Sequence, residues 1–294
     1  MATVPRSWLP AIGSPLLEGN DVVSSTPRVS HASTPTPGAH AAGRIVSSLR
    51  RRPTAALAAG AFVLLSVVHL VAHLAGREQL ATVTQWFVMP LLALAVWAAT
   101  GGPARGRSRL VRWTLVALGF SWLGDSAPDL SSGDASFLTM VGFFLLAQLA
   151  YIAAFWPSRR SSVLRRPLLL VPYALALVVL VALCAPHAGV LLVPVMVYGT
   201  CLALMGVLST GVNRIAGLGG AIFLVSDALI ALGAFVPGFE VPGPVPSGFW
   251  VMLTYLAGQS LLVLGILRRD VRDGGVAGGA SVPVEARGSA APAS

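Results

Sequence analysis

The residues of this chain best placed to move protons are two aspartates in apolar surroundings, Asp125 in "SWLGDSAPDL" and Asp227 in "FLVSDALIAL". Two carboxyls that meet where water is scarce resist ionising together, so one is left to act as an acid and the other as a base. Paired carboxyls within a membrane also suit proton carriage. Other polar groups accompany them. Gln148 and Tyr151 are three residues apart, and Tyr255 and Gln259 four apart, spacings that place each pair on one face of a helix. Tyr198 in "PVMVYGT" makes a fifth. These five are the candidate substrate-binding residues, and Asp125 and Asp227 the candidate catalytic ones.

Neighbouring features divide into those that sharpen this picture and those that do not. Pro128 in a helix would leave the carbonyl of Gly124 without its donor, beside Asp125. Asp129 is one turn beyond Asp125 and perturbs it if both face inward, but Asp129 and Asp134 read as a solvated outer rim. His69 and His73 have the i, i+4 spacing of a metal pair. With no further histidine nearby, packing or a hydrogen bond is the expected role, and no metal or cofactor is called for. No strand precedes Gly217, Gly219 and Gly220, so these are expected to let helices approach closely. All 20 basic residues are arginine, which excludes Schiff-base lysine chemistry and a P-loop.

What must position the aspartates is a set of membrane helices. The 294 residues are 55% hydrophobic and only 11% charged, with a mean hydropathy of +0.78, beyond what a soluble core of this size requires. Eight apolar runs of about 20 residues are each long enough for roughly 30 Å of hydrocarbon. They cover about 54–75, 79–100, 111–130, 137–156, 167–186, 190–211, 214–236 and 248–267. The expected fold is therefore all-α, a polytopic membrane bundle of eight transmembrane helices spanning 44–273. The Ser-, Thr- and Pro-rich residues 1–43 are expected to be a disordered tail and 274–294 a flexible one. Cys184 and Cys201 lie in apolar runs and read as small buried residues.

Arginine clusters at 44–52, 105–112, 159–166, 214 and 268–272 fall at one set of helix ends, while the other set carries only Arg77. By the positive-inside rule both termini are then cytoplasmic. Such clusters are read by anionic lipid, so the net charge of +9 is no argument for nucleic acid. The expected location is a bacterial plasma membrane. Asp125 follows Arg112, and Asp227 follows Arg214, by thirteen residues. Each is then roughly 20 Å from the cytoplasmic edge on helices running the same way. The cost of about 2.5–3.5 kcal/mol for a carboxylate at depth argues that both face the bundle interior.

The segments "LGFSWLGDSAPDL", "FLTMVGFFLLAQLAYIAAF", "GGAIFLVSDALIALGAF" and "WVMLTYLAGQSLLVLGI", in this order, resemble the YhhN family of eight-helix membrane proteins, which includes the eukaryotic TMEM86 lysoplasmalogenases. The resemblance covers about 79–267 and is strongest at Gly124-Asp125 and Ser226-Asp227. It implies a hydrolase of the vinyl ether bond of lysoplasmalogens, an ether lysophospholipid substrate, and the two aspartates as acid and base. Many members have Lys-Pro where this chain has Gln85-Trp86, and His where it has Gln148, so two cations of the family pattern are missing. A proton-coupled membrane carrier and a noncatalytic lipid-binding membrane protein are the alternatives. The first is disfavoured by the lack of a clear internal repeat.

Overall fold

The computed structural model describes residues 53–101, 107–130 and 132–279, with only the backbone for Asp134 and 275–279. Among these residues there are eight long helices and no strand. They are α1 (Pro53–Leu74), α2 (Glu78–Ala99), α3 (Arg109–Ser126), α4 (Asp134–Phe155), α5 (Pro167–Ala188), α6 (Leu192–Ser209), α7 (Arg214–Phe235) and α8 (Ser247–Gly279). Their ends are set locally. Ser108 caps α3 by accepting from the Val111 N–H, and Asn213 caps α7 by accepting from Ile215 and Ala216. Pro167 opens α5, where its missing N–H costs nothing. Gly76, at φ 62°, makes the tight turn between α1 and α2.

Six stretches are long and apolar enough to cross a membrane, and one of them, Pro167–Ser209, contains both α5 and α6. Only α3 falls outside them, since its 18 residues include Arg109, Arg112 and Asp125. Large apolar side chains such as Leu57, Leu64 and Val71 on α1 and Leu168, Val178 and Leu183 on α5 are exposed. A surface of that kind is stable in lipid and not in water. The expected N-terminal tail, 1–43, lies outside the described residues, as do 280–294; α8 itself continues to Gly279, past the boundary expected at 273. Cys184 is buried, Cys201 is half-buried, and both are free thiols.

The third helix is shorter than expected. Its α-helical part ends at Ser126, and Ala127–Leu130 form a 3₁₀ turn. Pro128 therefore sits past the end of α3 instead of inside it, and its carbonyl accepts from Ser136 Oγ at 3.0 Å. Asp129 leaves the interior in the same turn and accepts from Trp86 Nε1 at 2.7 Å, so it does not share a site with Asp125.

Five helices close a ring in which α3 touches α4, α4 touches α6, α6 touches α7, α7 touches α8 and α8 returns to α3. A close seam joins α7 to α8. A Cβ on Gly219 would stand 2.6 Å from the Leu262 nitrogen, and one on Gly258 would stand 2.9 Å from the Phe223 nitrogen. Gly217 and Gly220 perform the same service against Thr210 and Ser209 of the α6 end, as expected of this glycine cluster. Backbone cannot yield as a side chain can. Gly258→Val is accordingly expected to cost about 1–3 kcal/mol, read as a lower Tm of the purified protein.

Candidate active site

Each ring helix contributes a polar group to one interior region. Asp125 lies one residue before the end of α3 and Asp227 midway along α7, and each is only 7% exposed. Each carboxyl is held by a phenol from a neighbouring helix. Tyr255 Oη of α8 donates to Asp125 Oδ2 at 2.8 Å, and Tyr198 Oη of α6 donates to Asp227 Oδ2 in a short contact. The two carboxyls are within electrostatic reach of each other, and Gln85 of α2 lies beside that of Asp125.

A second chain of bonds runs behind the first. Tyr151 Oη of α4 donates to Gln259 Oε1 at 2.6 Å, and Gln259 Nε2 donates to Ser121 Oγ at 3.1 Å. Ser121 is one turn before Asp125, so this chain fixes the rotation of α3 that turns Asp125 inward. All these side chains are buried, where each bond is worth more than at a surface and an unmade one costs more.

The residue preceding each aspartate explains why the pairs Gly124-Asp125 and Ser226-Asp227 occur. A Cβ on Gly124 would stand 2.8 Å from the Phe144 ring, so only glycine admits that ring against α3. Phe144 then meets Tyr255 edge-on at 5.8 Å, and Phe223 also meets that ring edge-on at 5.6 Å. Tyr255 is thus clamped in the position from which it reaches Asp125. Ser226 Oγ donates to the Val251 carbonyl of α8 at 3.0 Å and sets the facing of Asp227.

Asp227 and Tyr198 also form the polar part of the wall of a pocket among α4, α5, α6 and α7, with about 530 Å³ of empty space including its mouth. The remainder is apolar, with Phe137, Met140, Phe144, Leu180, Leu202 and Phe235 prominent. Such a lining suits a hydrocarbon chain. Asp125 is not part of this wall. Gln148 is fully buried beside the Tyr198 hydroxyl, and among the described residues its amide makes no well-aligned hydrogen bond.

The structure therefore brings together all seven residues singled out in the sequence. Ser121, Gln85 and Phe144 join them, and only Ser121 carried a local signal, its i, i+4 spacing from Asp125. The histidines stand apart. His69 Nδ1 is 2.8 Å from Thr84 Oγ1 and 3.1 Å from the Ala81 carbonyl, and its ring meets that of His73 edge-on. Among the described residues no three His, Cys, Asp or Glu side chains are grouped for a metal.

Apolar helices arranged around buried carboxyl–phenol pairs define a membrane protein with an internal polar site. The chain belongs to the YhhN family, which it matches over residues 80–266. It is similar to the proteins named Lysoplasmalogenase of Mycobacterium bovis (strain ATCC BAA-935 / AF2122/97) and Mycobacterium tuberculosis (strain CDC 1551 / Oshkosh). Each is 30% identical over 202 residues, covering 63% of this chain and 72% of the relative. No solved structure matches the chain.

Proposed function

We propose that this chain is a membrane-embedded hydrolase that cleaves the vinyl ether bond of a lysoplasmalogen-type lysophospholipid, releasing a fatty aldehyde and a glycerophospho-base. The observation that carries the reading is the pair of buried carboxyls, each bonded to a phenol, one of which opens on an apolar pocket. The names of the two mycobacterial relatives agree with it. In this reading the chain crosses a bacterial plasma membrane eight times; the arginine distribution supports cytoplasmic termini, which would put the site in the outer half of the bilayer.

The order of atoms in the substrate assigns the carboxyls. With the alkenyl chain in the apolar pocket, the vinyl carbon nearer the chain faces Asp227, and the carbon bearing the ether oxygen faces Asp125. Asp227 gives its proton to the chain-side carbon, the double-bond electrons form the new C–H bond, and the ether oxygen shares the positive charge that results. Water adds to the other carbon and loses a proton to Asp125. The hemiacetal then breaks its bond to the glycerol oxygen, which takes a proton as the hemiacetal hydroxyl gives one up. Return of a proton from Asp125 to Asp227 resets the site. Tyr198, Tyr255 and Gln259 hold the carboxyls and their helices, with Tyr151 behind them.

The direct test supplies the purified full chain with a lysoplasmalogen and with its alkyl-ether analogue. Aldehyde is expected from the vinyl ether alone. Proton flux into liposomes with no aldehyde from either lipid would instead identify a carrier.

Gln148 offers a separate check. Its amide is buried with the Tyr198 hydroxyl beside it and no well-aligned bond, a cost of up to about 1–3 kcal/mol for such a group, and within this reading it holds the attacking water or a glycerol hydroxyl. Gln148→Leu is expected to leave Tm unchanged or raise it, while lowering turnover about tenfold or more. A destabilised variant with full turnover would make Gln148 a packing residue.

A further inference from the structure

Far from the carboxyls, the start of α7 borders a second recess. It lies among the 3₁₀ turns Trp156–Ser161 and Val163–Arg165, the first turns of α5 and the first turn of α7, with about 810 Å³ of empty space including its mouth. Gly217, on its wall, precedes Asp227 by ten residues, which separates the two sites by about 15 Å along α7. Two guanidiniums line it, from Arg166 immediately before α5 and Arg214 at the first position of α7, together with Ser161 and Tyr173. Among the described residues neither guanidinium has an ion pair or a hydrogen bond.

The backbone that carries these groups is fixed. Ser162 is buried, donates to the Arg159 carbonyl at 2.7 Å and accepts from Leu164 N. Val163 N donates to Thr210 Oγ1 at 3.0 Å, tying the turns to the end of α6. Gly211 leaves no space for a side chain against Ser158 and Ser162. Two arginines, a serine and a tyrosine lining a fixed recess, at the positive ends of α5 and α7, are suited to a phosphate. What distinguishes a lipid phosphate from a soluble one is the surface beside the recess. Leu168 is 84% exposed and Val171 and Leu218 are more than half exposed, so acyl chains attached to the phosphate have an apolar face to lie on.

We propose that this recess binds the phosphate of an anionic glycerophospholipid through Arg166 and Arg214, with the acyl chains against the exposed faces of α5 and α7. This site is independent of the hydrolase reading, and its test needs no turnover. The full chain is equilibrated with equal amounts of phosphatidylglycerol and phosphatidylcholine in mixed micelles, and retained lipid is read by native mass spectrometry. Wild type is expected to retain phosphatidylglycerol preferentially. The preference should fall about tenfold or more in R166Q/R214Q, given roughly fivefold for each arginine near an anionic headgroup. R160Q/R165Q removes the same charge from neighbouring residues outside the recess and is expected to keep the preference. Equal losses in both variants would reduce the effect to diffuse surface charge and overturn the site. Displacement of the lipid by inorganic phosphate at equal concentration would overturn the lipid as occupant.

Discussion

Asp227→Asn is expected to remove aldehyde release from a lysoplasmalogen by about a hundred- to ten-thousand-fold, the usual contribution of a positioned acid. The substitution is nearly isosteric. The amide oxygen still accepts from Tyr198 Oη, the partner of Asp227 in the native protein, so helix packing and Tm should change little. What disappears is the proton, since an amide cannot give one to carbon. Asp227 stands in the wall of the apolar pocket, where the chain-side vinyl carbon would lie, and no second carboxyl is present in that wall to replace it. The measurement is aldehyde formed per enzyme at saturating substrate, with lipid binding followed separately. A variant that binds normally and still releases aldehyde at a tenth of the native rate would remove Asp227 from the acid role.

Much of this arrangement was legible because depth along a helix is a linear quantity. Counting from Arg112 and Arg214 put Asp125 and Asp227 at one level, and the structure has both in the interior, within electrostatic reach of each other. The spacings Gln148–Tyr151 and Tyr255–Gln259 likewise predicted which residues share a face. The rotation of one helix against another is not linear in sequence. Nothing local states that Tyr255 belongs to Asp125 and Tyr198 to Asp227, or that Gln259 reaches Ser121. Those pairings follow from the α7–α8 glycine seam and from Phe144 lying on Gly124. The end of α3 departs from the expected span for a related reason. Hydropathy continues through Leu130, but Asp129 finds the Trp86 indole and Ser136 finds the Pro128 carbonyl, and these contacts favour a 3₁₀ turn over one more turn of α-helix. The apolar pocket is assembled from four helices and has no signature in any one of them.

Asp125→Asn is the second substitution with a large expected effect, and the manner of the loss matters more than its size. Asp125 is bonded to Tyr255, and Tyr255 is itself packed against Phe144 and Phe223, so carboxyl and phenol form one unit. Removing the carboxylate should cost about a hundredfold or more in turnover, because in the proposed mechanism the attacking water loses the group that takes its proton. Tyr255→Phe keeps the ring and its packing but withdraws the hydrogen bond, with an expected loss of about tenfold. If the phenol acts only through the carboxyl, the double variant Asp125→Asn/Tyr255→Phe should be no slower than Asp125→Asn alone, since residues that work as a unit do not add. Full additivity of the two losses would give Tyr255 a task of its own at the substrate, and would separate the phenol from the base.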